Sequence, residues 1–294
     1  MPTRKRQLLV VLAVGIALLL AGCAEAINDE DDSDIDADDV EAEELEQAAT
    51  EAMAEVTTFT FETEQTTTAM GAATETTVEG QIDVEAQRAQ IETSIDQFGI
   101  EQEFDQYIVD ETLYMDGLGE MLGTEEWLKV EVGEEAIWEH DEATQQREML
   151  DVGDLSVEDT ETFDGHDVYV VELNVSGEDM EDIIEDAEDP LEGEFEDAFG
   201  EEDDIDALEY TDVSVTQYID ADSYYVRYSA MEATIETEFG TTAIEMETTF
   251  DDFNDAVDVE LPPEAEDAMD IDEWLEEWDE PAGNEWSLTT TVDA

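Results

Sequence analysis

The sequence predicts an α+β domain built on an antiparallel sheet, and three observations point to it. Apolar residues alternate with polar ones at period two through most of residues 58–116 and 155–253, in runs separated by short turn signals, as sequential hairpins require. Two stretches instead carry apolar residues at helical spacing, one ahead of the strands and one between the two strand sets. No unit repeats at a fixed period, so strands and helices belong to one domain rather than to a repeat array.

Along the chain, Leu45, Ala49, Ala52, Met53 and Val56 fall on one helical face, with Glu and Gln on the other. Phe59 and Phe61 alternate with Thr. Val78, Ile82 and Val84 alternate with polar residues, and Ala89, Ile91, Thr93 and Ile95 repeat the pattern after Glu85-Ala86-Gln87-Arg88, so residues 74–95 read as a β-hairpin. Further strands are predicted at 104–109, 112–116 and 126–132. Residues 134–150 read as a helix with Ile137, Trp138, Met149 and Leu150 inward. Strands at 155–163 and 167–175 follow, joined by Asp164-Gly165. Residues 176–208 form an acidic insertion with helical pieces, broken at Pro190 and Gly193. Strands at 210–219, 223–238 and 241–253 close the sheet, and residues 264–278 place Trp274 and Trp278 one helical turn apart.

Composition sets the environment. The 294 residues include 90 Asp and Glu against 7 Lys and Arg, a net charge of −83. From Cys23 onward all 90 acids face only Arg88, Lys129, Arg147 and Arg227, a balance of −86. Nucleic-acid binding is excluded, because phosphate neutralisation needs clustered Lys and Arg. One cysteine excludes a disulfide framework. In dilute buffer a chain of this charge repels itself open and reads as disordered. At 1 M salt the Debye length is about 3 Å and carboxylates a few ångströms apart hardly sense each other. The acid excess is spread over the whole mature chain rather than gathered in a patch, which is the pattern of a protein from an extreme halophile; an acidic disordered chain is the other reading.

The N-terminus carries an address. Arg4-Lys5-Arg6 precedes an uncharged run from Leu8 to Leu20, too short for the roughly 20 residues of a membrane-crossing helix, and the run ends in Leu20-Ala21-Gly22-Cys23. This resembles a prokaryotic lipoprotein signal peptide with its lipobox, in which Cys23 is lipidated and becomes the first residue of an extracytoplasmic protein held to the cell membrane. A short membrane anchor with an incidental cysteine is the alternative. The stretch from Arg4 to Leu9 also resembles a twin-arginine export signal with Lys-Arg in place of the arginine pair, and the general secretory route stays open beside it. Residues 24–46 hold 13 acids and no aromatic, Gly or Pro, as in an extended tether. Asp34, Asp36 and Asp38 match the start of a calcium loop, but the sixth position is Asp39 where Gly is needed and the twelfth is Leu45 where Glu is needed, so no metal site is expected there.

Little in the chain speaks of catalysis. The two histidines, His140 and His166, sit among carboxylates, and no nucleophile-elbow, zinc, phosphate-loop or dinucleotide motif occurs. With 90 acids, paired carboxylates arise by chance. The expectation is a protein that is not an enzyme and needs no cofactor. Asn174-Val175-Ser176 is an N-glycosylation sequon at a predicted strand end.

Four segments carry a family likeness: "EQAATEAMAEVTTFTFETE", "QYIVDETLYMDG", "FDGHDVYVVEL", and the late "VTQYIDADSYYVRYSAMEATIE" followed by the run from Ile244 to Phe250. Together they resemble the LolA and LppX/LprG lipoprotein and lipid carriers, and more closely the haloarchaeal lipoproteins of that superfamily. The resemblance implies a strongly curved antiparallel sheet, a half-barrel, with helices over its concave face and an apolar site between them. It divides the chain into a signal peptide (1–22), an acidic tether after the lipidated cysteine (23–46), a LolA-like half-barrel domain (47–262) and a C-terminal helix and tail (263–294). Candidate inward residues of that site are Val213, Val215, Ile219, Ala230, Ala243, Ile244, Met246 and Phe250. Two functions remain open: a membrane-tethered carrier of a hydrophobic, lipid-like ligand, or a structural or interaction protein of the cell envelope with a filled core and no ligand. No protein partner is named by the residues.

Overall fold

The computed structural model describes residues 40–97, 99–116, 127–131, 141–180, 209–237 and 240–271, with residues 35, 37, 183, 273 and 274. The signal peptide, Cys23, His140, Trp138, Trp278 and most of the 176–208 insertion lie outside them.

Helix α1 (Ala42–Met53) opens the domain, burying Leu45, Ala49 and Met53 at a spacing of four residues, so that one stripe faces inward. It starts within the expected tether: Glu43 and Glu44 lie in its first turn, where acids favour the positive end of the helix dipole. Strands β1 (Thr58–Ala69), β2 (Ala72–Asp83), β3 (Arg88–Gln97), β4 (Ile100–Val109), β5 (Thr112–Met115) and β6 (Leu128–Glu131) form a meander. Helix α2 (Glu142–Val152) intervenes. A second meander follows: β7 (Asp154–Phe163), β8 (His166–Asn174), β9 (Glu209–Asp220), β10 (Val226–Thr237) and β11 (Gly240–Asp251).

With the short β12 (Met269–Asp270), these strands make one twelve-stranded sheet of order β12-β6-β5-β4-β3-β2-β1-β11-β10-β9-β8-β7, with β12 and β7 at its edges. The two meanders join where the first strand pairs antiparallel with the last long one, from Thr60 opposite Asp251 to Ala69 opposite Thr242. Several hairpins use two-residue turns with positive φ at both positions, Met70 (51°) and Gly71 (82°) or Asp164 (46°) and Gly165 (84°), which match the right-handed twist of the flanking strands.

The C-terminal segment departs from expectation. The first part of the segment expected to be helical over 264–278 is not: residues Pro263–Asp267 make one 3-10 turn and β12 (Met269–Asp270) pairs in parallel with β6, and helical backbone is seen at Ile271, Glu273 and Trp274. The chain reaches that edge by crossing the lower end of the first meander: the Thr58 hydroxyl donates to the Asp255 carbonyl (2.6 Å), the Gln81 amide to that of Asp258 (3.3 Å) and Arg88 Nη1 to that of Val259 (3.2 Å). Residues 255–270 are thereby fastened to the sheet. Asn254 fastens the start of the segment, accepting from the Thr57 backbone amide (2.8 Å) and donating to the Tyr225 hydroxyl (2.9 Å).

One sheet face carries the core. Phe59 and Phe61 of β1, Val78 and Ile82 of β2, Ile108 of β4, Met246 and Phe250 of β11, Met231 of β10, Val215 and Ile219 of β9 and Leu173 of β8 join α1 and α2 in a single cluster. Gly80 sits opposite Phe61 in the β1–β2 register, and a Cβ placed on it would overlap the Phe61 ring, so glycine here lets the phenyl lie flat across the strand. Gly80→Ala should therefore cost about 1–3 kcal/mol by overpacking, read by denaturant unfolding in multimolar KCl, and adding Phe61→Leu should recover most of the loss.

Candidate functional site

Antiparallel register decides which side chains share the covered face. Thr63 lies opposite Thr248, Thr248 opposite Ser229 and Ser229 opposite Gln217, so four adjacent strands place a polar residue at one level on the inner face. All four are buried, as is Gln146 of α2, which stands over the end of the row. The Thr63 and Thr248 hydroxyls are hydrogen-bonded at 3.0 Å, and the Gln217 amide donates to Gln146 Oε1 at 2.7 Å. Among the described residues Gln217 Oε1, wholly buried, has no hydrogen-bond partner, and neither does Gln65 Oε1 of β1. The neighbouring levels are apolar across β11 to β8, Met246-Met231-Val215-Leu173 on one side, where β1 adds buried Gln65, and Phe61-Phe250 with Ile219-Val226 on the other.

The face that α2 turns inward is polar as well. Asp141 caps the helix, accepting from the Thr144 backbone amide at 3.0 Å, and Glu142, Gln145, Gln146, Met149 and Leu150 are buried. Burial, the largest influence, pushes the Glu142 carboxyl up to about 8, with the neighbouring Asp141 charge adding to the rise. Burial also raises Asp141 against the opposing hydrogen bonds from Thr144.

The candidate cavity residues divide by face. Val215, Ile219, Ile244, Met246 and Phe250 are buried on the helix-covered face, and Val213 is half-buried against the same core. Ala230 and Ala243 lie on the opposite face, because Met231 and Ile244, their neighbours in sequence, hold the inward positions of β10 and β11. This corrects the inward assignment: β10 alternates Tyr228 and Ala230 with Ser229, Met231 and Ala233, so apolarity alone does not choose a face, and one residue of register exchanges them. The other face bears its own aromatic cluster, Phe163, Tyr218 and Tyr228, with ring centroids 4.8–5.5 Å apart. It also bears an open groove of about 370 Å³ whose walls include Glu62, Glu79, Glu92 and Asp251.

His166 and Arg227 meet at Asp220, with His166 Nδ1 at 2.9 Å and Arg227 Nε at 3.2 Å from Oδ2. Burial acts to raise the Asp220 carboxyl, but the amides of Ser223 and Asp222, the Ser223 hydroxyl and the Arg227 guanidinium outweigh it and hold the group below the usual carboxylate range. This cluster braces the β9–β10 turn. Asn174 is exposed at the end of β8, and Trp274 is buried against the core. Among the described residues, no three His, Cys, Asp or Glu are arranged to hold a metal ion, and no helix is long and apolar enough to cross a membrane.

Sequence reasoning passed over Glu142, Gln145, Gln146 and Gln217. A signal existed: Glu142 and Gln146, and Gln145 and Met149, are each four residues apart, so the polar residues share the face of Met149 and Leu150.

A family model matches residues 41–270, from the residue before α1 to the end of β12. The chain belongs to DUF6612, a family of unknown function. The DUF6612 unit thus includes both meanders and the crossing segment. No curated protein matches the sequence. Solved structures similar to it include LprF from Mycobacterium bovis, at 12% identity and a TM-score of 0.43 over 75% of this chain and 96% of that one. Lipoprotein LppX from Mycobacterium tuberculosis has the same identity, TM-score and share of this chain, and is covered over its whole length. A LolA-superfamily protein from Nitrosomonas europaea has 11% identity and a TM-score of 0.25 over 76% of this chain and 96% of its own. The chemistry of the DUF6612 site rests on its own residues.

The Glu142 carboxyl gives a pH signature. Its folded value, about 8, exceeds the ordinary 4.5, so the folded state holds a proton that the unfolded state releases between them. Its contribution is fully present below about 4.5 and is lost as pH rises towards 8. Glu142→Gln should flatten that decline and stabilise the protein at pH 8 relative to wild type, with the two stability curves, measured in multimolar KCl, diverging steadily above pH 5.

Proposed function

We propose that this protein is an extracytoplasmic lipoprotein of an extreme halophile, held to the cell membrane through lipid on Cys23, and that it binds a hydrophobic, lipid-like ligand between its helices and the covered face of the sheet. The observation that carries this reading is the breadth of the covered face. Twelve strands at about 4.8 Å span more than 50 Å, whereas two packed helices cover only about 20 Å. Yet apolar side chains are buried from Leu128 on β6 to Leu173 on β8. A sheet that curls about its own apolar face reconciles these widths, and such a half-barrel has an interior that mobile helices can open to an acyl or isoprenoid chain. The lipobox and the resemblance to lipoprotein carriers support the same reading. The even spread of acids fits folding in brine, where screening removes their repulsion.

A second reading, an envelope interaction protein with a filled core, is favoured by the groove on the opposite face, a concave polar surface remote from the helices.

Two measurements test the proposal. Cys23→Ser should release the protein from membranes or leave its precursor uncleaved; normal processing and retention in that variant would remove the anchor. Native mass spectrometry of protein purified from its own membranes in high salt should show an apolar ligand. An empty protein that takes up no fluorescent acyl probe decides for the envelope reading.

A further inference from the structure

Over β11, β10 and β9 the inner face is apolar above and below one level, with buried Gln65 and Thr76 beside it on β1 and β2, and at that level Thr63, Thr248, Ser229 and Gln217 run side by side across β1, β11, β10 and β9 to meet Gln146 of α2. Neither sheet pairing nor helix capping calls for this row, since these side chains satisfy no exposed backbone group. Two of the hydroxyls bond each other, and the two amides share one hydrogen bond. That leaves Gln217 Oε1 unpartnered with its residue wholly buried, an arrangement that is costly unless something donates to it.

We propose that this row is a hydrogen-bonding track that selects a ligand bearing an uncharged hydroxyl on a long apolar body; the inference rests on the carrier reading above. The missing partner must donate, because the orphaned atom is a carbonyl oxygen. An ester, ketone or hydrocarbon cannot do so. Were both amides turned about, the free Gln217 atom would be a donor, and a hydroxyl would serve it equally, because it both donates and accepts. An anionic headgroup is disfavoured: the row contains no cation, and α2 buries the carboxyls of Asp141 and Glu142 on the same side while Arg147 is only half-buried. The apolar levels on either side, Met246-Met231-Val215 and Phe61-Phe250, would hold the body of such a ligand. Discrimination then follows the rule that a site built to bond a hydroxyl rejects the analogue lacking it, because the buried amide is left unpaired.

The test is competition between 1-octadecanol and octadecane for a fluorescent acyl probe, using the full mature chain in multimolar KCl. Wild type should bind the alcohol about tenfold more tightly than the alkane. Gln217→Leu should bring that ratio to about one while keeping alkane binding. Should Gln217→Leu fail to fold, Ser229→Ala serves in its place and should lower the ratio. Equal affinities in wild type, or an unchanged ratio in the folded variant used, overturn the track and leave the carrier reading standing. Failure of wild type to bind probe, alcohol and alkane alike overturns the carrier reading, and the track with it.

Discussion

Burial of one apolar sheet face is the interaction on which the rest of the structure depends, because the chain's charge leaves its side chains little ionic cohesion to draw on. Ion pairing cannot supply it with four basic residues against 90 acids beyond Cys23. The ion pairs seen among the described residues gather at one corner, where Asp220 takes His166 and Arg227, and Arg227 also reaches Asp251 at 3.5 Å. Elsewhere, apart from buried Asp141 and Glu142, the described carboxylates lie at exposed or half-buried positions, where water and salt screen them. Acids at several left-handed turn positions, among them Asp110, Glu111, Asp164 and Asp252, show the composition fitting the local geometry, since Asp tolerates positive φ better than most residues.

The same constraint explains the tension at the polar row. A protein that relies on apolar burial would gain from Leu or Val at Gln146 and Gln217, for a buried amide pair with an unmet acceptor weakens the packing around it. The polar face of α2 has a further consequence. A helix that offers Met149 and Leu150 beside Glu142, Gln145 and Gln146 is held less firmly than one with a fully apolar stripe.

Much of the fold was legible because period two is hard to mistake when one face is covered. The run Phe59-Thr60-Phe61, the hairpin over 74–95 and the three closing strands all stand close to where alternation puts them, with ends displaced by a few residues. What alternation does not encode is the partner of each strand. Nothing in β1 alone says that it pairs with β11, nor does Met269-Asp270 announce a parallel strand beside β6, because two residues carry no period. The candidate site was half legible for the same reason. Val215, Ile219, Ile244, Met246 and Phe250 follow from pattern, whereas Ala230 and Ala243 were lost to register. The buried glutamines could only be found by asking which polar residues share a helical turn with Met149 and Leu150.

The seam between the two meanders sets a timetable for folding. Each meander is made of neighbours in sequence and can assemble as it is synthesised, but β1 must wait for β11, which lies about 190 residues later (Thr60 to Asp251). Until that pairing forms, β1 presents an unpaired edge from Thr60 to Ala69, rich in Thr and carrying Phe61, that is open to other chains. The fold is therefore completed only when almost the whole chain has been made, and the hazard of strand exchange between copies is concentrated in the interval before the last long strand arrives.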